Sequence, residues 1–207
     1  MVKPSRTILK STRIVVLGDS VTVGNGFSGV TEETAFITLL KRRFHDQLPN
    51  IEIVRSALDG VDTEYAIKRF DRMVTNLTPD HVVIMLGLND AKPKSARPTL
   101  TPAEFAGNLC VLTDRCIDIG AKPTLASPSP RLDIPCKTGG VEDIIVAYAD
   151  AVRYVCREFA IPCINVYDQF LYNGKFDKLL PDGLHPGVDG HRLIADTFAE
   201  TIPGILS

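Results

Sequence analysis

The chain has 207 residues, of which 44% are apolar and 23% are charged, and its formal net charge is −2. This length is enough for one α/β domain with a sizeable core. The near-neutral charge gives no general reason to expect nucleic acid or an anionic membrane as a partner, and no apolar run approaches the length of a membrane span.

Residues 1–12 precede the first predicted strand as an N-terminal extension, and we predict a single domain over residues 1–207. The extension is basic but lacks the apolar stretch of a secretory signal, so we expect a cytoplasmic protein. The five cysteines are odd in number and include no Cys-x-x-Cys pair. Neither a disulfide framework nor a zinc site is therefore expected.

Buried strands alternate with amphipathic helices along the chain. The predicted strands are short, rich in valine and isoleucine, and lack polar alternation, which is typical of parallel strands covered on both faces. They span residues 13–17, 51–54, 81–86, 122–126 and 161–166. The predicted helices span residues 31–48, 63–77, 101–120 with a capping box at its start, 141–159 and 188–202. This order predicts a three-layer α/β/α sandwich around a five-stranded parallel sheet.

The segment "GNGFSG" at residues 24–29 matches the Gly-x-Gly-x-x-Gly pattern of a phosphate-binding loop. In a dinucleotide-binding fold the glycines follow the first strand directly, and an acidic residue ends the second strand. Here the glycines begin seven residues after Leu17, and no acid ends the second strand. We therefore expect a flexible loop beside the substrate mouth, with a nucleotide-binding module as an alternative.

A second alternative outside the hydrolases is a phospho-acceptor receiver, which has acidic residues after its first and third strands. Asp19 and Asp90 are the candidates for that role. A receiver also needs a lysine after the fifth strand, where this chain has Tyr167 and Asp168. We therefore expect Asp19 and Asp90 to brace their loops through backbone hydrogen bonds.

Residues suited to acyl transfer follow the predicted strands. Ser20 follows the first strand, Gly60 the second and Asn89 the third, and Asp182 and His185 lie beyond the fifth. Ligand sites in open parallel sheets lie beyond the carboxyl ends of the strands, so we expect these groups to converge. A serine nucleophile needs a base, which imidazole supplies near neutral pH, and a carboxylate holds the imidazole in one tautomer. Backbone N–H groups and a side-chain amide can stabilise the oxyanion.

Four short blocks of the sequence resemble a known family. They are "GDS" at residues 18–20, "DGVDT" at 59–63, "GLND" at 87–90 and "DGLHP" at 182–186. In this order they resemble the blocks of the GDSL, or SGNH, hydrolase family, over residues 13 to 200 or so. The resemblance implies a flavodoxin-like SGNH hydrolase fold and a serine esterase, thioesterase or lipase that uses no cofactor.

The resemblance also assigns roles, position by position. Ser20 is the nucleophile, and Asp182 and His185 complete the catalytic triad. Gly60 and Asn89 complete the oxyanion hole together with the backbone N–H of Ser20. The predicted mechanism is ester hydrolysis through an acyl-enzyme intermediate.

The substrate is a small-molecule ester whose two halves the sequence leaves open. The chain is short and has no obvious lid, so we expect an open, shallow site that favours acetyl or short acyl groups. Thioester and lysophospholipid cleavage are alternatives within the same family, and the oligomeric state is not readable from the sequence. Basic residues on two long loops near the predicted mouth are either candidates to attract an anionic leaving group or plain solvated loop charges, which is the commoner case. They are Lys92, Lys94, Arg97 and Arg131.

Overall fold

A five-stranded parallel sheet forms the centre of the computed structural model, which describes residues 11–92, 99–132 and 143–206. The strands lie in the order β2-β1-β3-β4-β5, and each neighbouring pair is parallel. They are β1 (Thr12–Gly18), β2 (Ile51–Ala57), β3 (His81–Met85), β4 (Lys122–Ala126) and β5 (Cys163–Ile164). This order is the doubly wound arrangement of flavodoxin-like folds, in which ligands bind beyond the carboxyl ends of the strands.

Helices cover both faces of the sheet. They are α1 (Ser20–Val23), α2 (Phe36–Gln47), α3 (Thr63–Lys68), α4 (Phe70–Met73), α5 (Pro102–Asp118), α6 (Asp143–Glu158), α7 (Val166–Asn173), α8 (Phe176–Leu179) and α9 (Val188–Leu206). α2 packs against α9, which also contacts α7 and α8, whereas α5 packs against α3 and α6. These two helix groups enclose the sheet and confirm the predicted three-layer sandwich.

The strand that precedes the predicted nucleophile is buried on both faces. Its four central residues are apolar and at most 2% exposed, and they are Ile14, Val15, Val16 and Leu17. Burial of such a run is strongly favourable, since each fully buried aliphatic side chain contributes roughly 1.5–3 kcal/mol. The buried strand therefore holds the end of β1 in place and fixes where the residues that follow it begin.

The predicted helix over residues 63–77 is wrong as a single element. The structure divides it into α3, α4 and a 3₁₀ turn at Thr75–Leu77. Two of its carbonyl groups accept hydrogen bonds from side chains outside the segment: Arg115 donates to Ile67 O at 2.6 Å, and Ser56 donates to Met73 O at 2.6 Å. These tertiary donors occupy carbonyls that a continuous helix would bond internally, so the periodic pattern is interrupted.

The predicted helix over residues 31–48 starts five residues late, at Phe36. No side chain of the preceding residue caps it; instead the Phe36 N–H donates to His191 Nδ1 on α9 at 3.1 Å. The first N–H groups of a helix have no acceptor within the helix, and here the acceptor is a side chain 155 positions further along the chain. The start of α2 is therefore set by a tertiary contact.

Other boundaries also differ from the sequence prediction, among them the end of β2, which runs to Ala57 and not to residue 54. The fifth strand, predicted over residues 161–166, is paired over Cys163–Ile164, and Val166 already begins α7. α9 extends past the predicted end at residue 202 to Leu206, with Pro203 inside it. The short helices α1, α7 and α8 were not predicted, since a segment of four to eight residues carries too little periodicity. None of the helices in the described segments is both long and apolar enough to cross a bilayer.

Candidate active site

Ser20 lies at the carboxyl end of β1, where the chain turns sharply into α1. Asp19 caps this short helix, because its Oδ1 accepts a hydrogen bond from the Val21 N–H at 3.0 Å. Gly18 is needed for the same turn, since a Cβ at that position would collide with the side chain of Thr22. The sequence "GDS" thus builds a tight strand-to-helix turn that leaves Ser20 partly exposed.

Asp182 and His185 form a hydrogen-bonded pair in the loop before α9. Asp182 Oδ2 lies 2.9 Å from His185 Nδ1, and Asp182 Oδ1 accepts from the Leu184 and His185 N–H groups at 2.8 and 2.6 Å. Partial burial tends to raise the pKa of Asp182, but these hydrogen bonds outweigh it and hold the pKa below its ordinary value. The ionised carboxylate fixes Nδ1 of the imidazole and leaves Nε2 for another partner.

Asn89 joins the segments that follow three neighbouring strands. Its Nδ2 donates to Val61 O at 3.0 Å, one residue after Gly60, and lies 3.5 Å from Oδ2 of Asp19, one residue before Ser20. Gly60 is exposed and has a φ of 76°, a left-handed conformation that glycine adopts without strain. The structure therefore brings the three predicted oxyanion-hole donors to one end of the sheet.

Two buried carboxyl groups support these loops. Burial raises the pKa of Asp19 to about 7, against the lowering effect of its bond from Val21, and raises that of Asp90 to about 6, against the bonds from Thr63. Asp90 accepts from both the N–H and the hydroxyl of Thr63, and Asn108 donates to the same hydroxyl at 2.8 Å. Both carboxyl groups brace their loops, as predicted, which gives no support to the receiver alternative.

The glycine-rich segment at residues 24–29 lies against the predicted base. The ring of Phe27 stacks on the imidazole of His185, and the Ser28 hydroxyl donates to His185 O at 3.0 Å. The glycines follow α1 and do not open a helix, so the segment lacks the geometry of a phosphate-binding loop. The sequence analysis does not identify Phe27 and Ser28 as site residues, although an aromatic side chain among glycines close to the nucleophile is a usable signal.

Arg131 is neither an exposed cation at the mouth nor a solvated loop charge, so both interpretations of it are wrong. Its side chain is 2% exposed and donates to Leu88 O at 2.6 Å, so it ties the loop after β4 to the segment that carries Asn89. Lys92 is exposed. Lys94 and Arg97 lie outside the described residues. The sequence shows that Arg131 is a cation in a loop, but it does not show that the carbonyl group of Leu88 will accept its hydrogen bond in the interior.

A small space adjoins the turn that carries Ser20. It is too narrow to hold a water molecule, and its walls are Asp19, Val21, Met85, Leu86, Leu88, Pro128 and Ser129. This space therefore takes neither water nor an acyl group without rearrangement. Across the described parts of the chain, no group of three or more His, Cys, Asp or Glu side chains is placed to hold a metal ion.

His191 is a structural histidine close to the site. It is 1% exposed and accepts the Phe36 N–H through Nδ1, so its imidazole is neutral. Burial lowers its pKa to about 4, and the nearby His185 adds to the effect. In the unfolded chain the same group takes up its proton near pH 6.5.

We therefore expect His191 to destabilise the fold as the pH falls from about 6.5 to 4, because the unfolded state binds the proton first. The full effect is about 3 kcal/mol in the free energy of unfolding. Urea unfolding of the wild type and of His191→Gln between pH 7 and pH 4 measures it, since glutamine can still accept the Phe36 N–H. Equal losses for the two proteins across this range would contradict the prediction, because Asp19 and Asp90 are common to both.

Comparisons with known proteins agree with this geometry. The sequence pattern of the GDSL-like Lipase/Acylhydrolase family matches residues 16–193. The uncharacterized lipoprotein YqeF of Bacillus subtilis is 24% identical over 177 residues, which cover 76% of this chain and 72% of that protein. The lipase/acylhydrolase from Enterococcus faecalis is 28% identical in sequence, with a TM-score of 0.75 over 93% of this chain and 96% of that one. A mutant of Axe2, an acetylxylan esterase from Geobacillus stearothermophilus, is 18% identical and shares the fold, with a TM-score of 0.79 over 94% and 95% of the two chains.

Proposed function

The chain belongs to the GDSL-like Lipase/Acylhydrolase family and is a carboxylic ester hydrolase, and we propose that it cleaves acetyl and other short-chain acyl esters through an acyl-enzyme on Ser20. One observation carries the proposal. The Asp182 carboxylate lies 2.9 Å from His185 Nδ1, and the segment that follows Ser20 packs directly on that histidine. A carboxylate, an imidazole and a serine at one end of the sheet are the groups that acyl transfer needs.

In the first half of the reaction Ser20 Oγ attacks the acyl carbonyl, and His185 Nε2 takes the hydroxyl proton. The Asp182 carboxylate stabilises the imidazolium that results. The negative oxygen of the tetrahedral intermediate accepts hydrogen bonds from the N–H groups of Ser20 and Gly60 and from the Asn89 amide. Collapse of the intermediate expels the alcohol, which takes its proton from His185.

In the second half, a water molecule attacks the acyl group on Ser20, and His185 accepts its proton. The oxyanion forms again in the same hole, and the acid leaves as Ser20 recovers its proton from the imidazole. One hydrogen of the Asn89 amide is anchored on Val61 O at 3.0 Å, and the other makes only a long bond to Asp19 Oδ2 at 3.5 Å. The second hydrogen can pass from Asp19 to the oxyanion while the anchor on Val61 O keeps the amide in place.

The space beside the turn of Ser20 is too narrow for water and therefore for any acyl group, so the short-acyl proposal rests on the short chain and on the open, shallow site that its sequence predicts. An acetyl group needs little room, whereas a fatty acyl chain needs an apolar channel in which to be buried. The name of Axe2, an acetylxylan esterase, is consistent with small acyl groups on this fold. Thioester and lysophospholipid substrates are the alternatives in the same family, and no contact in the described residues favours either of them.

A panel of p-nitrophenyl esters with acyl chains of two to sixteen carbons tests the proposal, together with an acetylated sugar and an acyl-CoA. We expect kcat/KM not to rise beyond the two- to four-carbon esters, since added methylenes that stay in water contribute no burial energy. A fluorophosphonate should add one covalent mass, and peptide mapping should locate it on Ser20. A maximum at twelve carbons or longer, or at the acyl-CoA, would contradict the short-chain ester assignment.

A further inference from the structure

The glycine loop, which we define as residues 24–30, contacts His185 at two separate points. The ring centroids of Phe27 and His185 are 4.1 Å apart, with an angle of 21° between the ring planes. The Ser28 hydroxyl donates to the backbone carbonyl of His185 at 3.0 Å. The stacking covers one face of the imidazole, and the hydrogen bond holds the main chain of His185.

The glycine loop has a defined internal structure. The N–H of Gly26 donates to Val30 O at 3.1 Å, and the N–H of Val30 donates to Phe27 O at 2.8 Å. Ser28 has a φ of 45°, in the left-handed region that serine rarely adopts. A residue held in that conformation points to a local requirement, and here its hydroxyl holds the carbonyl of His185.

The two supports of the imidazole restrict different motions. The bond from Asp182 Oδ2 to Nδ1 fixes one edge of the ring. It leaves the ring free to tilt about that edge, and such a tilt would swing Nε2 away from the position in which it takes a proton. A flat ring stacked on one face blocks the tilt. An aromatic face also attracts the imidazolium that forms during the reaction.

We propose that Phe27 is a positioning residue for His185, and that Ser28 holds the glycine loop in the position that this stacking requires. The inference rests on the proposed role of His185 as the base. Because the stacking acts on the orientation and charge of the base, its loss should lower kcat and leave KM almost unchanged.

The first test compares Phe27→Leu with Phe27→Tyr on a short-chain p-nitrophenyl ester. Leucine keeps the apolar bulk but not the flat ring, and we expect kcat to fall about 10- to 100-fold with KM within about twofold, because small displacements of a catalytic group cost this much. Tyrosine keeps the ring and should recover most of the loss. Phe159→Leu, the same change at a partly buried site after α6, is the matched control and should keep kcat.

Ser28→Gly separates positioning from stability. Glycine adopts a positive φ without strain, so the fold should be at least as stable in thermal unfolding, while kcat falls because the hydrogen bond to His185 O is lost. A variant that is both stable and slow supports the proposal. A variant with wild-type kcat overturns the part assigned to Ser28.

Proton NMR reports the stacking without any substrate. The chain has four histidines, and His185→Gln identifies the Cε1 proton of His185 among them. We expect the Phe27 ring current to shift this signal upfield in the wild type and in Phe27→Tyr, and Phe27→Leu to remove the shift. A wild-type signal without the shift, or a Phe27→Leu variant that keeps kcat or changes KM alone, overturns the proposal. If Ser20→Ala is inactive and Phe27→Leu is fully active, the positioning role fails and the proposed function stands; an active Ser20→Ala overturns the proposed function itself.

Discussion

Ser20→Ala should lower kcat by about 10⁴-fold or more, the loss seen when a serine hydrolase is deprived of its nucleophile. The reason is that no other group at the end of β1 can carry the acyl chain. Asp19 is buried and bonded to the Val21 N–H, so it cannot take over. Residual turnover would come from the oxyanion hole and from binding alone. Initial rates on p-nitrophenyl acetate, with concentrated enzyme and a blank for spontaneous hydrolysis, measure the effect.

Ser129→Ala is the matched control for this experiment. Ser129 lines the narrow space beside the turn that carries Ser20. Its replacement by alanine removes the same hydroxyl group, but Ser129 has no role in the proposed mechanism. We expect its kcat to stay within about threefold of the wild type, as is usual for changes that touch no reacting group. The fluorophosphonate mass should appear on Ser129→Ala and be absent from Ser20→Ala. Labelling of Ser20→Ala, or retention of most of its activity, would place the nucleophile elsewhere.

Asp182→Asn should cost roughly 10³- to 10⁴-fold in kcat, the scale known for the same change in a Ser-His-Asp triad. Asparagine can keep the bonds from the Leu184 and His185 N–H groups through its oxygen, so the loop should hold its shape. The amide nitrogen would then face Nδ1 of His185 and favour the tautomer with a proton on Nε2. That tautomer cannot accept the proton of Ser20.

The matched control is Asp189→Asn on the first turn of α9. Asp189 is exposed and pairs with Arg192 at 3.1 Å, so the change removes one similar charge near the site. We expect it to alter kcat by less than about twofold, since exposed ion pairs contribute little. Steady-state kinetics and thermal unfolding of both variants settle the comparison. An Asp182→Asn enzyme within tenfold of the wild type would mean that another group orients the imidazole.

The sequence predicts the sandwich well because β1 and β3, at the centre of the sheet, contain continuous apolar runs. Consecutive apolar residues such as Val82, Val83 and Ile84 point to both faces of a strand, so both faces must be buried. The misplaced boundaries share a different cause. The break in the helix at residues 63–77 depends on Arg115 and Ser56, and the start of α2 depends on His191. A periodic pattern within one segment contains no information about donors and acceptors that arrive from distant segments.

The same distinction applies to the candidate site. Ser20, Gly60 and Asn89 could be proposed because the carboxyl ends of parallel strands meet, and Asp182 because it lies three residues before His185. Arg131 was misjudged because burial of a charged side chain depends on a carbonyl group, that of Leu88, which sequence does not place. Phe27 and Ser28 were missed because their contacts with His185 cross 157 or more positions of the chain.

The shortness of β5 bears on how copies of this molecule behave at high concentration. A sheet edge with many free N–H and C=O groups is a template on which another chain can add a strand. Here the edge pairs over Cys163 and Ile164, after which the backbone coils into α7. Few peptide groups at this edge are therefore extended and available for pairing, so the addition of a strand from another molecule is disfavoured. Fibril growth from this edge of the sheet is disfavoured for the same reason.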